Sequence, residues 1–170
     1  MPFDKVHYLN EMRAMIDKAF ARMHIIHPIY EVYTVSIWTD PNAGASSISF
    51  DSKMHSDQQN ARFNELLQRH QLRLSAVEDQ QKSEVFEPLT GHNDNPADFE
   101  IPDFEEVQHE CIELNWEFDS DGECWDLLEP ALQEIGNYAF VQSHLLQKHP
   151  EFELAVNGRH DWYESTWPKQ

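Results

Sequence analysis

The chain predicts an α+β fold, an antiparallel β-sheet made of a hairpin plus later strands and flanked by helices. Apolar residues alternate in "YEVYTVSIW", "ASSISFD" and "ECIELNWEF", and recur at spacings of three and four in the segments around them. The strands are separated by segregated helices with no regular βαβ series, which argues for antiparallel pairing. At 170 residues the chain is read as a single domain, 1–170.

Val6, Leu9, Met12, Ile16, Phe20 and Met23 share one face of a first helix that ends near "HIIHP". A hairpin follows. Tyr33, Val35 and Ile37 face one side of its first strand, and Val32, Thr34, Ser36 and Trp38 the other; the turn is "TDPNAG", and Ile48 and Phe50 share a face of the return strand. Ser56 with Gln59 resembles a capping box for a second helix, whose stripe is Phe63, Leu66, Leu67 and His70. From about 76 to 106 an acidic, Pro-containing stretch reads as a long loop. The strand "ECIELNWEF" then leads through "DSDG" into a helix with Leu132, Ile135, Ala139, Phe140 and Leu145 on its buried side; Pro130 is expected near that helix's start. "EFELAV" returns as a strand, and the aromatic tail "RHDWYESTWPKQ" docks as a short strand or loop.

The net charge of −19 is unevenly placed. Residues 1–75 hold eight Lys/Arg and eight Asp/Glu, whereas 76–170 hold four against 23. From Ser83 to Gln147 there are 17 carboxylates and no Lys or Arg, so the segment has no base of its own to pair them; the charge is read as a field for a partner, with solubility or a salt-rich habitat as the alternative. Phosphate binding is driven by positive side chains, which excludes nucleic acid and favours a basic protein. Trp116, Trp125 and Trp162 lie in the same acidic part, and aromatic anchors ringed by carboxylates suit a Lys/Arg-rich partner. The expected partner-binding residues are Trp116, Asp119, Asp121, Glu123, Trp125, Asp126 and Trp162. No membrane span or signal peptide is legible, so a cytoplasmic location is expected, with Cys111 and Cys124 as reduced thiols.

Little catalytic chemistry can be written on this sequence. Five glycines allow neither a P-loop nor G-x-G-x-x-G, and there is no G-x-S-x-G elbow; a triad of scattered residues needs the fold to reveal it. "DSDG" fails as a calcium loop, because Leu128 falls where a bidentate glutamate is required. His24 and His27 lack a carboxylate at ligand spacing, and the adjacency of His160 and Asp161 does not orient them for acid–base work. No catalytic residue, metal or cofactor is expected. The alternative reading is a small metal-dependent or carboxylate-based hydrolase using the acidic strand and turn.

The strands "YTVSIWTD" and "SSISFDS", the amphipathic helix before them and the polar helix after them, followed by a W-x-F strand leading into an acidic helix, resemble a group of small bacterial proteins of unknown function. Members of that group are often placed among immunity proteins of polymorphic-toxin and contact-dependent inhibition systems. The resemblance covers 1–75 and 107–157. It implies a cytosolic antitoxin-like protein that neutralises a cognate basic toxin domain by binding it.

Overall fold

The computed structural model describes residues 3–76, 87–110 and 123–169. Helix α1 (Lys5–Ile26) is followed by β1 (Val32–Asp40), β2 (Ala45–Asp51), α2 (Lys53–Ala76), β3 (Ile101–Gln108), α3 (Glu123–Gln142), β4 (Lys148–Val156) and β5 (Ser165–Trp167). The fold is α+β, with helices on both sides of one five-stranded sheet in the order β3-β2-β1-β4-β5.

The sheet is mixed, which corrects the expectation of a purely antiparallel one. β1 pairs antiparallel with β2 but parallel with β4. The reason is topological. β3 runs antiparallel to β2, and so parallel to β1; the chain then crosses back through α3, so that β4 runs in the same direction as β1.

Asp4 caps α1, accepting from the His7 N–H at 3.0 Å. Leu9, Met12, Ile16, Phe20 and Met23 are buried as their spacing requires, whereas Val6, at the exposed first turn, is 70 % accessible. They meet Val35, Ile37, Ile48 and Phe50 of the hairpin, and Leu128, Leu132 and Ile135 of α3, in one core. A register irregularity between Val32 and Thr34 turns Val32 into that core and leaves Tyr33 stacked on His92 at 3.8 Å, reversing the sides expected for both residues.

The second sheet face is polar and nonetheless buried. Thr34, Ser36, Ser47, Ser49 and Asp51 are all closed to solvent. Hydrogen bonds from the segment 92–103 account for most of them: Thr34 bonds His92 Nδ1 at 2.7 Å, Ser47 donates to Asp103 Oδ1 at 2.7 Å, and Ser49 accepts from the Asp103 N–H at 2.9 Å. Asp103 takes a left-handed φ of 45° to make both contacts, a conformation Asp tolerates better than most residues.

Helix α2 begins earlier than its capping box suggested. Ser52 is the cap, accepting from the His55 N–H at 3.2 Å, while Ser56 accepts from the Asn93 N–H at 2.7 Å and ties down the following loop. Its expected apolar stripe is largely exposed, with Phe63 at 47 % and Leu66 at 62 %. The described residues of the stretch expected to be loop from 76 to 106 include a 3-10 turn at Pro96–Asp98 and most of β3. Its strand was hidden by carboxylates: "IPDFEEVQ" places Glu105 inward, where two bases of α1 hold it. The strand expected in "ECIELNWEF" falls, apart from Glu110, outside the described residues. Pro130 lies well inside α3 and not at its start. Its missing N–H costs a bond to the Asp126 carbonyl on the exposed side of the helix, where water can replace it.

Leu128 is a fully buried member of the core in α3. The last position of the would-be calcium loop is therefore inside a packed helix. Calorimetry with calcium is expected to show nothing tighter than about millimolar affinity; micromolar binding lost on Asp119→Ala would overturn this.

Candidate functional site

Two open concavities, about 430 and 270 Å³, adjoin at one end of the sheet and share Asn157 and Gly158. The end of β1 and its turn, the first half of α3 and the loop after β4 form them. Asn157 joins these parts. Its side chain accepts from the Thr39 N–H at 3.0 Å and donates to the Thr39 carbonyl at 2.9 Å, extending the β1–β4 pairing by one residue with a side chain in place of backbone. A Cβ on Gly158 would collide with the Glu164 carboxylate, which accepts from the N–H groups of His160 and Asp161 at 2.9 and 3.3 Å. The loop is thus wound tightly around Glu164.

The expected partner-binding residues divide into three groups. Trp125, Asp126 and Trp162 line this cleft. Trp125 is 8 % exposed and belongs to the core, so it presents only an edge to the smaller concavity. Trp162 is 48 % exposed and meets Trp38 edge to face at 5.7 Å. Glu123 starts α3, and Trp116, Asp119 and Asp121 lie outside the described residues, as does Cys111. Cys124 is buried in the core, and Cys124→Ser is expected to cost about 1 kcal/mol in chemical denaturation while leaving partner binding intact.

Asp40, Asp161, Glu164, Asn157 and Arg159 complete the cleft and were not foreseen. The Asn-Gly pair at 157–158 was the available turn signal. Arg159 donates to Asp126 at 2.9 Å, and its N–H to Glu129 at 3.1 Å. This pair, with Lys5 on Glu134 and Lys18 and Arg22 on Glu105, corrects the expectation that the acidic segment lacks structural salt bridges. Bases distant in sequence supply them. The exposed pairs contribute little to stability; Glu105, 6 % exposed, depends on its two bases far more.

A second polar array lies beneath the cleft. Glu11 Oε2 is 2.6 Å from His109 Nδ1, and His109 Nε2 is 2.7 Å from Ser46 Oγ. This is the connectivity of a carboxylate–imidazole–hydroxyl triad. However, Ser46 is 1 % exposed, and its oxygen also meets the Thr39 hydroxyl at 2.6 Å, so a substrate carbonyl has no approach to it. Thr39 in turn bonds the Tyr8 hydroxyl at 2.7 Å. The chain fastens α1, β1, β2 and the end of β3 together.

Burial lowers the pKa of His109 against the raising effect of Glu11, and burial likewise lowers that of His92. A histidine with a depressed native pKa adds stability that is complete above its unfolded value of about 6.5 and is lost as pH falls towards the native value. The melting temperature is therefore expected to drop on acidification from about pH 7 to pH 5, with a shallower drop in His109→Gln. Asp51 acts in the opposite sense: burial raises its pKa, so its contribution is lost as pH rises above the usual carboxylate range.

Among the described residues no three His, Cys, Asp or Glu side chains converge as metal ligands, and no helix is long and apolar enough to cross a membrane. The chain matches no known family model, no curated protein and no solved structure.

Proposed function

We propose that this is a non-catalytic binding protein whose acidic cleft receives a basic protein partner, in the manner of an immunity protein covering a cognate toxin domain. The observation that carries the reading is the exposed Trp162 ring, backed edge-on by Trp38, on the wall of a concavity that also holds Asp40 and Asp161 and adjoins Asp126, Glu129 and Glu164. An aromatic anchor provides affinity through desolvated contact area, while the surrounding carboxylates orient and accelerate encounter with a positive surface. Arg159 limits that charge locally and offers a partner's base an exchange: an incoming Lys or Arg can take Asp126 from it. The toxin assignment comes from the family resemblance, and the preference for a basic partner from the charge. The hydrolase alternative gains nothing from the buried Ser46 array.

Binding kinetics with the product of the neighbouring gene, at two ionic strengths, test the reading. Asp126→Lys with Asp161→Lys is expected to slow association by roughly tenfold at low salt, with less effect at high salt. Trp162→Ala is expected to act on dissociation and to cost about 2 kcal/mol. Salt-independent association unchanged by both reversals would reject the acidic surface as the docking site.

A further inference from the structure

The hydroxyl chain beneath the cleft has a direction. His109, kept neutral, donates from Nδ1 to the Glu11 carboxylate, so its bare Nε2 must accept the Ser46 proton. Ser46 then accepts from Thr39, and Thr39 from Tyr8. The buried phenol stays protonated, since burial raises the Tyr8 pKa. The protons thus run from Tyr8 through Thr39 and Ser46 to His109, and Thr39, in mid-chain, is the residue whose backbone N–H and carbonyl Asn157 bonds.

We propose that this chain makes the cleft acid-sensitive, with protonation of His109 reversing the hydroxyl order and loosening the clamp between Thr39 and Asn157, the residue that lines both concavities. A solvent proton taken up at Nε2 converts that nitrogen from acceptor to donor. Ser46 must then donate to Thr39, and Thr39 to Tyr8. The Tyr8 proton loses Thr39 as its acceptor in a fully buried position and must turn towards Ser46, the other hydroxyl beside it, so the end of β1 must shift to admit the new order.

Among the described residues, the groups facing His109 are few. From α1 come Glu11, the Tyr8 ring at 5.0 Å, and His7, which bonds the other Glu11 oxygen at 3.1 Å; from β1 and β2 come the hydroxyls of Thr39 and Ser46. Asp40, in the adjoining turn, points instead to the N–H groups of Asn42 and Ala43.

The consequence for partner binding rests on the proposed function, but the device is tested without a partner. An NMR titration of the full chain from about pH 7.5 to pH 4.5 follows the His109 ring and the amides of Thr39, Asn157 and Gly158. Their midpoints are expected to coincide, below the ordinary histidine value. Thr39→Val should leave the ring titrating but remove the inflection at Asn157 and Gly158, and His109→Gln should remove it at all three amides. Should His109→Gln fold poorly, Glu11→Gln serves: ring and amide midpoints should move down together. A ring that titrates while Asn157 stays still, an inflection that survives His109→Gln or fails to follow the ring in Glu11→Gln, or a ring neutral throughout would overturn the proposal. Loss of the acidic-surface reading in the binding assay would leave these inflections unchanged, so the two failures are distinguishable.

Discussion

Gly136→Ala is expected to destabilise the protein by about 3 kcal/mol, although alanine is the better helix former by about 1 kcal/mol. A Cβ at position 136 would come within 2.0–2.4 Å of three ring carbons of Trp167, which β5 lays against α3. The ring cannot step aside cheaply. It is 3 % exposed, its indole N–H donates to Asn137 Oδ1 at 2.8 Å, and neighbouring Ser165 is held by Gln133 at 2.6 Å. Chemical denaturation measures the effect, and Trp167→Leu in the same chain should recover part of it, a coupling expected only of side chains in contact. A Gly136→Ala protein as stable as the parent would mean that the tail does not pack on α3.

The second large effect contrasts two phenylalanines. Phe50→Ala is expected to cost about 4 kcal/mol, because its ring is fully enclosed between Phe20 at 6.1 Å and Phe104 at 5.5 Å, and the surrounding core can collapse only partly onto the cavity. Phe63→Ala, the same deletion on an exposed face near the middle of α2, is expected to cost under about 1 kcal/mol. Equal losses at the two positions would show that the α2 stripe contributes to the core after all.

This contrast marks a limit of pattern reading. In α1 the three-and-four spacing predicted burial well, because the helix lies along the sheet and most of its apolar stripe meets other apolar groups. The same spacing in α2 predicted a helix correctly and its burial poorly. Periodicity reports which residues share a face, but not whether that face has anything to pack against. The β3 strand shows the converse error. Its acidic residues read as loop, yet Glu105 is turned inward because Lys18 and Arg22, more than 80 positions away, neutralise it there.

Within the candidate site, Trp162 and Asp126 were legible from composition, since an exposed aromatic among carboxylates is a local property of the tail and of α3. Asn157, Arg159 and the Glu11–His109–Ser46–Thr39 chain were not. Glu11 and His109 are 98 positions apart, and nothing near either residue announces the other.

The sequence by itself determined the helical and strand character of most of the described elements, the α+β class and the large acidic excess, because these follow from spacing and composition along a short stretch of chain. The tertiary structure alone decided the parallel pairing of β4 with β1, the burial of a polar sheet face, the remote bases that hold Glu105, Glu134 and Asp126, and the cleft joined through Asn157. Each depends on groups brought together from distant parts of the chain, where hydrogen-bond geometry and desolvation, and not local propensity, determine which partner a polar atom takes.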